Sequence, residues 1–429
     1  MSVAVFLKRV VSFASTNVLT QAIGAISGIL LVRWMPINDY AIYSVVMTVA
    51  GAITILTKGG VHLGLSSILG RVWPDLDRAA SLISATIEVR RLVSAIILPI
   101  IIISSYYLIR RAGANDVLSI ALCFSLAAFW WADMRTRVVD QILFFSKDAH
   151  YVQGVDLRVA VARISLISIM NIFGVVSVLS AAIVNVFGAV ARIRPISGRI
   201  NKTLHGRVGI PRDDDLREIK KISYRQIPTD IFYVCQAQLA MGFLVSAANS
   251  TSIATYGALS RISQLLTPVE AVSLALFVPI FSSGSLGSIR KYVSLLALGA
   301  VPGLILSAVA IFAPRFLLWP LGPAYFNQVE ALIACALTSA FNVTTNIAWS
   351  LAAHRGWNRW GWLRIPFGIF WCLSAPFFLP TNTVSGAFLF FSGFSIGVLL
   401  AVLFDLLHAA KRGELRWDSD ITSNVRSGA

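Results

Sequence analysis

The stretch LVSAIILPIIIISSYYLI, residues 92–109, decides the fold of this chain. It is an uninterrupted apolar run, and about 18 such residues suffice to cross roughly 30 Å of hydrocarbon as an α-helix. A second such run, VSGAFLFFSGFSIGVLLAVLF, occupies residues 384–404. Of the 429 residues, 57% are hydrophobic and 13% are charged, whereas soluble domains carry about 25% charged residues. The sequence therefore predicts an all-α polytopic membrane protein.

Twelve apolar segments of this kind can be counted along the chain. The predicted spans are 10–32, 41–64, 92–109, 115–132, 151–172, 174–191, 227–248, 252–281, 292–313, 327–352, 361–380 and 384–407. The fifth is the least regular, because Asp156, Arg158 and Arg163 interrupt it. The first is too long for a signal peptide, and Arg33-Trp34 follows it instead of a small-residue cleavage site.

The distribution of basic residues fixes the predicted orientation. With the N-terminus inside, 28 of the 36 Lys and Arg residues fall in cytoplasmic segments and 4 in outside loops. Basic residues are retained on the cytoplasmic side, so both termini are predicted to be cytoplasmic and the number of spans even. The net charge of +16 is dispersed over seven segments, and nucleic-acid binding would require one basic patch. The pattern predicts attraction to anionic membrane lipids and no nucleic-acid partner.

The longest polar segment divides the twelve spans into two sets of six. We predict an N-terminal six-helix bundle over 1–191, a basic cytoplasmic linker over 192–226, a C-terminal six-helix bundle over 227–407 and a cytoplasmic tail over 408–429. The stretch PRDDDLREIKKISYRQIPTD, residues 211–230, predicts a short helix in the linker. Six spans in each half make any internal repeat parallel, and transporters with such repeats commonly bind substrate between the halves.

Sequence motifs of enzymes and of metal or cofactor sites are missing. The chain has no glycine-rich phosphate loop, no HExxH and no GxSxG, and its four cysteines are isolated. An enzyme of glycan assembly would need a sizeable extramembrane loop, and the outside loops are short. We therefore predict no catalytic residue, no cofactor and no metal site.

Three stretches resemble the bacterial polysaccharide exporters, the O-antigen and exopolysaccharide flippases of the multidrug/oligosaccharidyl-lipid/polysaccharide (MOP) superfamily. They are NVLTQAIGAISGILLVRWMPINDYAIYSVVMTVAGAITILTKGGVHLGL (17–65), ATYGALSRISQLLTPVEAVSLALFVPIFS (254–282) and FLLWPLGPAYFNQVEAL (316–332). The sequence departs from that family in two places. Span two ends in TKGG, where relatives often have an acidic residue, and span seven has Gln236 and Gln238, where many relatives carry Asp.

This resemblance implies a transporter, not an enzyme, in the inner membrane of a bacterial cell. Its substrate would be an undecaprenyl-pyrophosphate-linked oligosaccharide, moved from the cytoplasmic to the periplasmic leaflet by alternating access. Polysaccharide polymerase and glycosyltransferases would be its partners. A cation-coupled multidrug antiporter of the same superfamily is the alternative, and a membrane enzyme of glycan assembly is a further one.

Basic residues inside the spans are candidates for binding the pyrophosphate. Placing a Lys or Arg inside the membrane costs on the order of 3 kcal/mol of insertion free energy. This cost favours a functional role in phosphate binding for Lys58, Arg163 and Arg261. Snorkelling to the interface or structural ion pairing are the alternatives. Asp156 lies two turns from Arg163, so we expect its partner on another helix, and Arg158 points elsewhere.

Two carboxylates are candidates for ion coupling. Glu270 lies deep in span eight, after Pro268, which should kink the helix. Asp230 lies near the start of span seven, where a helix-start position beside water is the alternative interpretation. A carboxyl group near the membrane can titrate as its environment changes.

Uncharged polar residues within the spans are candidates for binding sugar hydroxyls. Gln21 shares a face of span one with Gly24 and Gly28, and Asn342 and Asn346 lie in span ten. Helix–helix packing is the alternative role for such residues, because small and polar side chains let backbones approach.

Overall fold

The computed structural model describes residues 3–416 except 59, 147, 208, 248 and 283–286. The described chain is almost entirely helical, as the sequence predicts. The helices are α1 (Val3–Trp34), α2 (Ile37–Lys58), α3 (Val61–Val72), α4 (Leu76–Arg111), α5 (Asp116–Met134), α6 (Gln141–Phe145), α7 (Ala149–Ile172), α8 (Val178–Ala191), α9 (Ile193–Thr203), α10 (Asp213–Ala247), α11 (Ser250–Ser263), α12 (Thr267–Ser282), α13 (Ile289–Phe312), α14 (Pro314–Leu318), α15 (Val329–His354), α16 (Arg364–Phe378) and α17 (Val384–Lys411).

Nine stretches of the described chain are long and apolar enough to cross a membrane. They lie in α1, α2, α4, α5, α8–α9, α11–α12, α13, α15 and α17. The other three predicted spans correspond to α7, which carries three charged residues, to the apolar part of α10 (Asp230–Val245), and to α16, which has 15 residues. The all-α polytopic fold class is therefore confirmed.

The chain forms two compact units. The first comprises Met1–Arg261 with the short segments Pro320–Gly322 and Asn382–Val384, and the second comprises the remainder. Helix α10 belongs to the first unit because it packs on α2, α3 and α4. The boundary between the two compact units thus lies after Arg261, whereas the sequence predicts a linker between the halves at 192–226. The repeat of six spans in each half stays a prediction.

The segment between the second and third spans differs from the prediction. Helix α2 ends at Lys58, six residues before the predicted end of span two, and α3 follows as a separate helix. Gly60 has a φ of 71°, in the left-handed region that glycine adopts without steric cost. Helix α4 begins at Leu76, where the side chain of Asp75 accepts hydrogen bonds from the backbone N–H groups of Asp77 and Arg78.

The predicted linker is mostly helical. Ile196 and Ile200 of α9 are four residues apart and both buried, which gives α9 one apolar face that an average of hydropathy over the segment does not reveal. The prediction of a separate short helix over 211–230 is wrong, since this stretch forms the first half of α10, which runs unbroken through Pro228 into the seventh predicted span. Helices α3, α6, α9 and the first half of α10 pack with the start of α4 around one apolar core.

Buried ion pairs join the helices around this core. Arg192, at the end of α8, donates to Asp140 (Nη2–Oδ2 2.9 Å) and to Asp156 of α7 (Nε–Oδ1 2.6 Å). The partner of Asp156 is therefore on another helix, as expected. Arg90 of α4, 1% exposed, donates to Asp133 at 3.0 Å. Burial raises the pKa of Asp140, and Arg192 offsets part of that rise.

The second unit contains the remaining spans and a short strand pair. Gly287–Ser288 pairs in parallel with Leu415–Arg416, in the register Gly287 to Leu415. Just before Pro268 the chain departs from a regular α-helix, because Gln264–Leu266 forms a 3₁₀ turn between α11 and α12. Helices α13 and α15 pack closely along their length.

Glycine makes that close packing possible. A Cβ at Gly303 would lie 2.8 Å from the Cα of Ala340 on α15, whereas a Cβ at Gly24 of α1 meets nothing within 4 Å. We expect Gly303→Ala to lower the free energy of unfolding by about 1–3 kcal/mol through overpacking. Gly24→Ala should be neutral or stabilising by up to about 1 kcal/mol. Thermal unfolding of the two purified variants in detergent checks this, and equal melting temperatures would contradict it.

Candidate functional site

A buried guanidinium lies within the first unit. Arg261 is eleven residues from the start of α11, about 16 Å along the helix axis, which is close to half the thickness of the hydrocarbon. It is 9% exposed. Its Nε donates to the hydroxyl of Tyr40 at 3.4 Å, and the rings of Tyr40 and Tyr43 lie 6.0 Å apart. We call Arg261, Tyr40, Tyr43 and Gly28 the Arg261 cluster.

Small residues let three helices of the first unit converge on this cluster. A Cβ at Gly28 of α1 would lie 2.8 Å from Cδ of Arg261, and a Cβ at Gly257 of α11 would lie 2.0 Å from the hydroxyl oxygen of Ser44 on α2. Glycine at both positions therefore permits the close approach. Asn185 of α8 adds a polar group, since its Nδ2 donates to the hydroxyl of Tyr43 at 3.2 Å.

Arg163 is a second basic residue of the same unit, on the helix that corresponds to the fifth predicted span. It lies fourteen residues after the start of α7, about 21 Å along the helix. The side chain is half-buried, and its Nε is buried without a hydrogen-bond partner in the described part of the chain. An unsatisfied buried donor is costly, so this nitrogen has capacity for an additional acceptor.

The other candidates of the first unit are spread over three helices. Gln21 of α1 is half-buried and donates to Asn17 at 3.4 Å. Asp230 of α10 is half-buried. The side chain of Lys58, at the end of α2, lies outside the described residues. Gln238 of α10 donates to the backbone carbonyl of Thr48 at 3.2 Å, a contact that an ionised Asp could not make because it has no donor.

Two of the predicted residues meet in the second unit. The carboxylate of Glu270 on α12 lies within interaction range of the side chain of Asn346 on α15. Glu270 is half-buried and Asn346 is exposed. The sequence assigned these residues to ion coupling and to sugar binding respectively.

More polar groups surround this pair. Asn342 of α15 accepts a hydrogen bond from the hydroxyl of Ser395 on α17. Further along α15, the hydroxyl of Ser339 donates to that of Ser263 at 2.8 Å, and Cys335 lies 3.1 Å from the same hydroxyl. We call Glu270, Asn342, Asn346 and Ser395 the Glu270 cluster.

Several residues in or beside these clusters were not identified from the sequence. Tyr40 and Tyr43 were part of the family resemblance only, although their spacing of three residues puts both on one face of α2. Asn185 and Ser395 carry no local signal, because each contacts a helix distant in sequence. Among the described residues no group of three or more His, Cys, Asp or Glu side chains could hold a metal ion.

No protein-family model and no curated protein matches the sequence. Solved structures do match the fold over almost the whole chain. A multidrug resistance MATE family transporter of the MOP superfamily, in an inward-facing conformation, superposes with a TM-score of 0.65 at 13% identity, over 91% of this chain and 95% of that chain. The lipid II flippase MurJ, in an inward closed conformation, gives 0.67 at 13% identity, over 93% and 87%.

A MOP superfamily transporter from Pyrococcus furiosus is also similar, with a TM-score of 0.58 at 14% identity over 94% of this chain and 95% of that chain. Its binding pocket is described as having reverse polarity. At these identities the likeness establishes the fold alone: this chain has the fold of MOP superfamily transporters.

Proposed function

We propose that this protein is a flippase that moves a polyprenyl-pyrophosphate-linked oligosaccharide from the cytoplasmic to the periplasmic leaflet of a bacterial inner membrane. The substrate class is the undecaprenyl-linked repeat unit of O-antigen, capsule or exopolysaccharide. The observation that carries the proposal is the buried, unsatisfied Nε of Arg163 inside a span of the first unit. The buried Arg261 of the same unit supports it.

The chemistry of the substrate explains why cations are required. A pyrophosphate cannot enter hydrocarbon without compensation of its charge, and guanidinium groups bind phosphate oxygens through strong, charge-assisted hydrogen bonds. Arg261 is proposed to lie at mid-span depth and Arg163 between the cytoplasmic headgroups and mid-span, where water competes weakly. Lys58 is proposed as a third cation from the sequence.

The sugar part of the substrate requires uncharged donors and acceptors. The amides of Asn342 and Asn346 in the second unit offer both, and Gln21 of the first unit offers the same groups. Such groups can bind several hydroxyls without fixing one stereochemistry. This fits a transporter that must accept a whole repeat unit.

Glu270 is the proposed coupling residue, with Asp230 as a second candidate. Loss of its proton creates a charge that Asn346 would stabilise by hydrogen bonding, so the ionised carboxylate and a bound sugar would compete for the same amide, and protonation would release that amide for the sugar. Alternating access could in this way be linked to a proton or cation gradient.

A specific observation also favours the second candidate function. The half-buried carboxylate of Glu270 could attract a cationic drug, and multidrug transporters are among the proteins with this fold. The two intramembrane arginines of the first unit would repel such a substrate. The balance of charge therefore supports the flippase, with the antiporter as the alternative to be tested.

Glycan export in a deletion strain tests the proposed function. Deletion should stop surface polysaccharide and make lipid-linked repeat units accumulate inside the cell. The wild-type gene and an Arg217→Gln control, which removes an exposed cytoplasmic arginine, should restore export, and Arg163→Gln at equal protein level should not. If the deletion leaves surface glycan unchanged and raises sensitivity to cationic drugs, the flippase proposal is wrong and the antiporter function is supported instead. Polymerase and glycosyltransferases are the proposed partners in this pathway.

Neutralisation of the coupling carboxylate gives a separate prediction. We expect Glu270→Gln to retain substrate binding and to abolish the acceleration of transport by an imposed pH gradient. The reason is that glutamine can pair with Asn346 but cannot gain or lose a proton. Initial transport rates in proteoliposomes with and without the gradient measure this. A gradient response equal to that of wild type would exclude Glu270 as the coupling group.

A further inference from the structure

A crevice in the first unit lies between α7, α8 and the start of α9, outside both clusters. Its volume is about 260 Å³. The walls are formed by Val159 and Ala162 of α7, Phe187 and Ala191 of α8, and Pro195 of α9, and the guanidinium-bearing chain of Arg158 completes the lining. The crevice is therefore apolar with a single cationic residue.

The level of Arg158 in the membrane follows from its neighbours. Helix α8 ends at Ala191 and the amphipathic α9 begins two residues later, and the ion pair of Arg192 with Asp156 ties that junction to α7. Arg158 is two residues beyond Asp156, about 3 Å along α7. A junction between a span and an amphipathic helix is where lipid headgroups meet acyl chains, so Arg158 is expected at headgroup depth.

The charge of Arg158 is not compensated within the described chain. The side chain is exposed, its Nε donates to the carbonyl of Gly154 at 3.0 Å, and it forms no ion pair with a described residue. Arg194 of α9, next to Pro195 in sequence, is also exposed. Two cations at one headgroup level favour a ligand with net negative charge.

The apolar walls continue onto an exposed surface. Phe187 is 49% exposed and Val161 is 46% exposed, so the crevice opens toward the region where acyl chains would lie. An acyl segment between Ala162 and Phe187 would bury apolar surface that the protein itself leaves uncovered.

We propose that this crevice binds a glycerophospholipid with an anionic headgroup from the cytoplasmic leaflet. The phosphate would contact Arg158, with Arg194 adding long-range attraction, and one acyl chain would lie against Val159, Ala162 and Phe187. This lipid is a bound component of the membrane, not the transported substrate, and the proposal does not depend on what the protein transports.

Photo-crosslinking in nanodiscs tests the site. The purified full-length protein is reconstituted in phosphatidylcholine with a trace of phosphatidylglycerol or phosphatidylcholine that carries a diazirine in one acyl chain, and crosslinked peptides are mapped by mass spectrometry. We expect phosphatidylglycerol to label α7 and α8 near Ala162 and Phe187, and phosphatidylcholine to label them far less. Arg158→Gln should reduce this labelling about fivefold, because one interfacial cation contributes roughly 1 kcal/mol.

Two further variants make the result decisive. Ala162→Leu fills the crevice and keeps the charge of Arg158, so it should also reduce labelling. This variant tests the site if Arg158→Gln does not fold. Arg217→Gln removes a cytoplasmic arginine away from the crevice and should label as wild type does. Equal labelling by the two lipids, or unchanged labelling in both crevice variants, would overturn the proposal.

Discussion

Arg261→Gln should lower the initial rate of lipid-linked oligosaccharide flipping about tenfold to a hundredfold in proteoliposomes. A hydrogen bond to a charged group contributes about 1.5–3 kcal/mol. If the variant loses such a bond between Arg261 and the pyrophosphate during transport, the barrier rises by that amount, which corresponds to the stated decrease in rate. Arg261→Lys keeps the charge but loses the planar donor geometry, so an intermediate rate is expected. The measurement is the rate per reconstituted protein molecule.

A control separates transport from folding in this experiment. Arg217→Gln also removes one positive charge, from an exposed position on α10, and its rate should match that of wild type. Tyr40→Phe removes only the hydroxyl that accepts from Arg261, so it tests the cluster if both Arg261 variants fail to accumulate. Equal rates for Arg261→Gln and Arg217→Gln would contradict a substrate contact at Arg261.

The largest expected effect on stability comes from Arg192→Met. Removal of this guanidinium leaves the carboxylates of Asp140 and Asp156 without their shared partner, and Asp140 is 5% exposed. Breaking a buried ion pair in this way costs about 3–5 kcal/mol. We expect a correspondingly lower melting temperature in detergent and lower accumulation in cells.

Arg199→Met is the matched control for that variant. Its side chain is 38% exposed and pairs with Asp148 at 2.9 Å, and exposed pairs of this kind contribute less than about 1 kcal/mol. A triple variant that also carries Asp140→Asn and Asp156→Asn should recover part of the lost stability, because no buried charge then lacks a partner. Equal melting temperatures for Arg192→Met and Arg199→Met would show that the pair is not a structural link.

The longest apolar runs of the sequence were sufficient to predict the helices that contain them. Residues 92–109 fall within α4 and residues 384–404 within α17, because any apolar run of that length must hydrogen-bond its own backbone in lipid. The helices outside the apolar runs were harder. Helix α9 depends on two isoleucines against a core built from distant segments, and averaged hydropathy does not record such a face.

The candidate site could be predicted by residue type but not by partner. An intramembrane arginine is conspicuous in any sequence, so Arg163 and Arg261 were identified. That Arg261 meets Tyr40 and Gly28 follows from the convergence of α1, α2 and α11, which no local pattern encodes. The contact of Glu270 with Asn346 likewise depends on how α12 packs on α15.

The most direct measurement is leaflet exchange by the purified wild-type protein. Liposomes are prepared with a fluorescent polyprenyl-pyrophosphate oligosaccharide, with and without the protein, and an impermeant reductant is added outside. We predict that the protein exposes the label of both leaflets to reduction, whereas protein-free liposomes lose only the label of the outer leaflet. Protection of the inner-leaflet label in the presence of the protein, together with proton-driven movement of a cationic dye, would contradict the flippase and establish the antiporter.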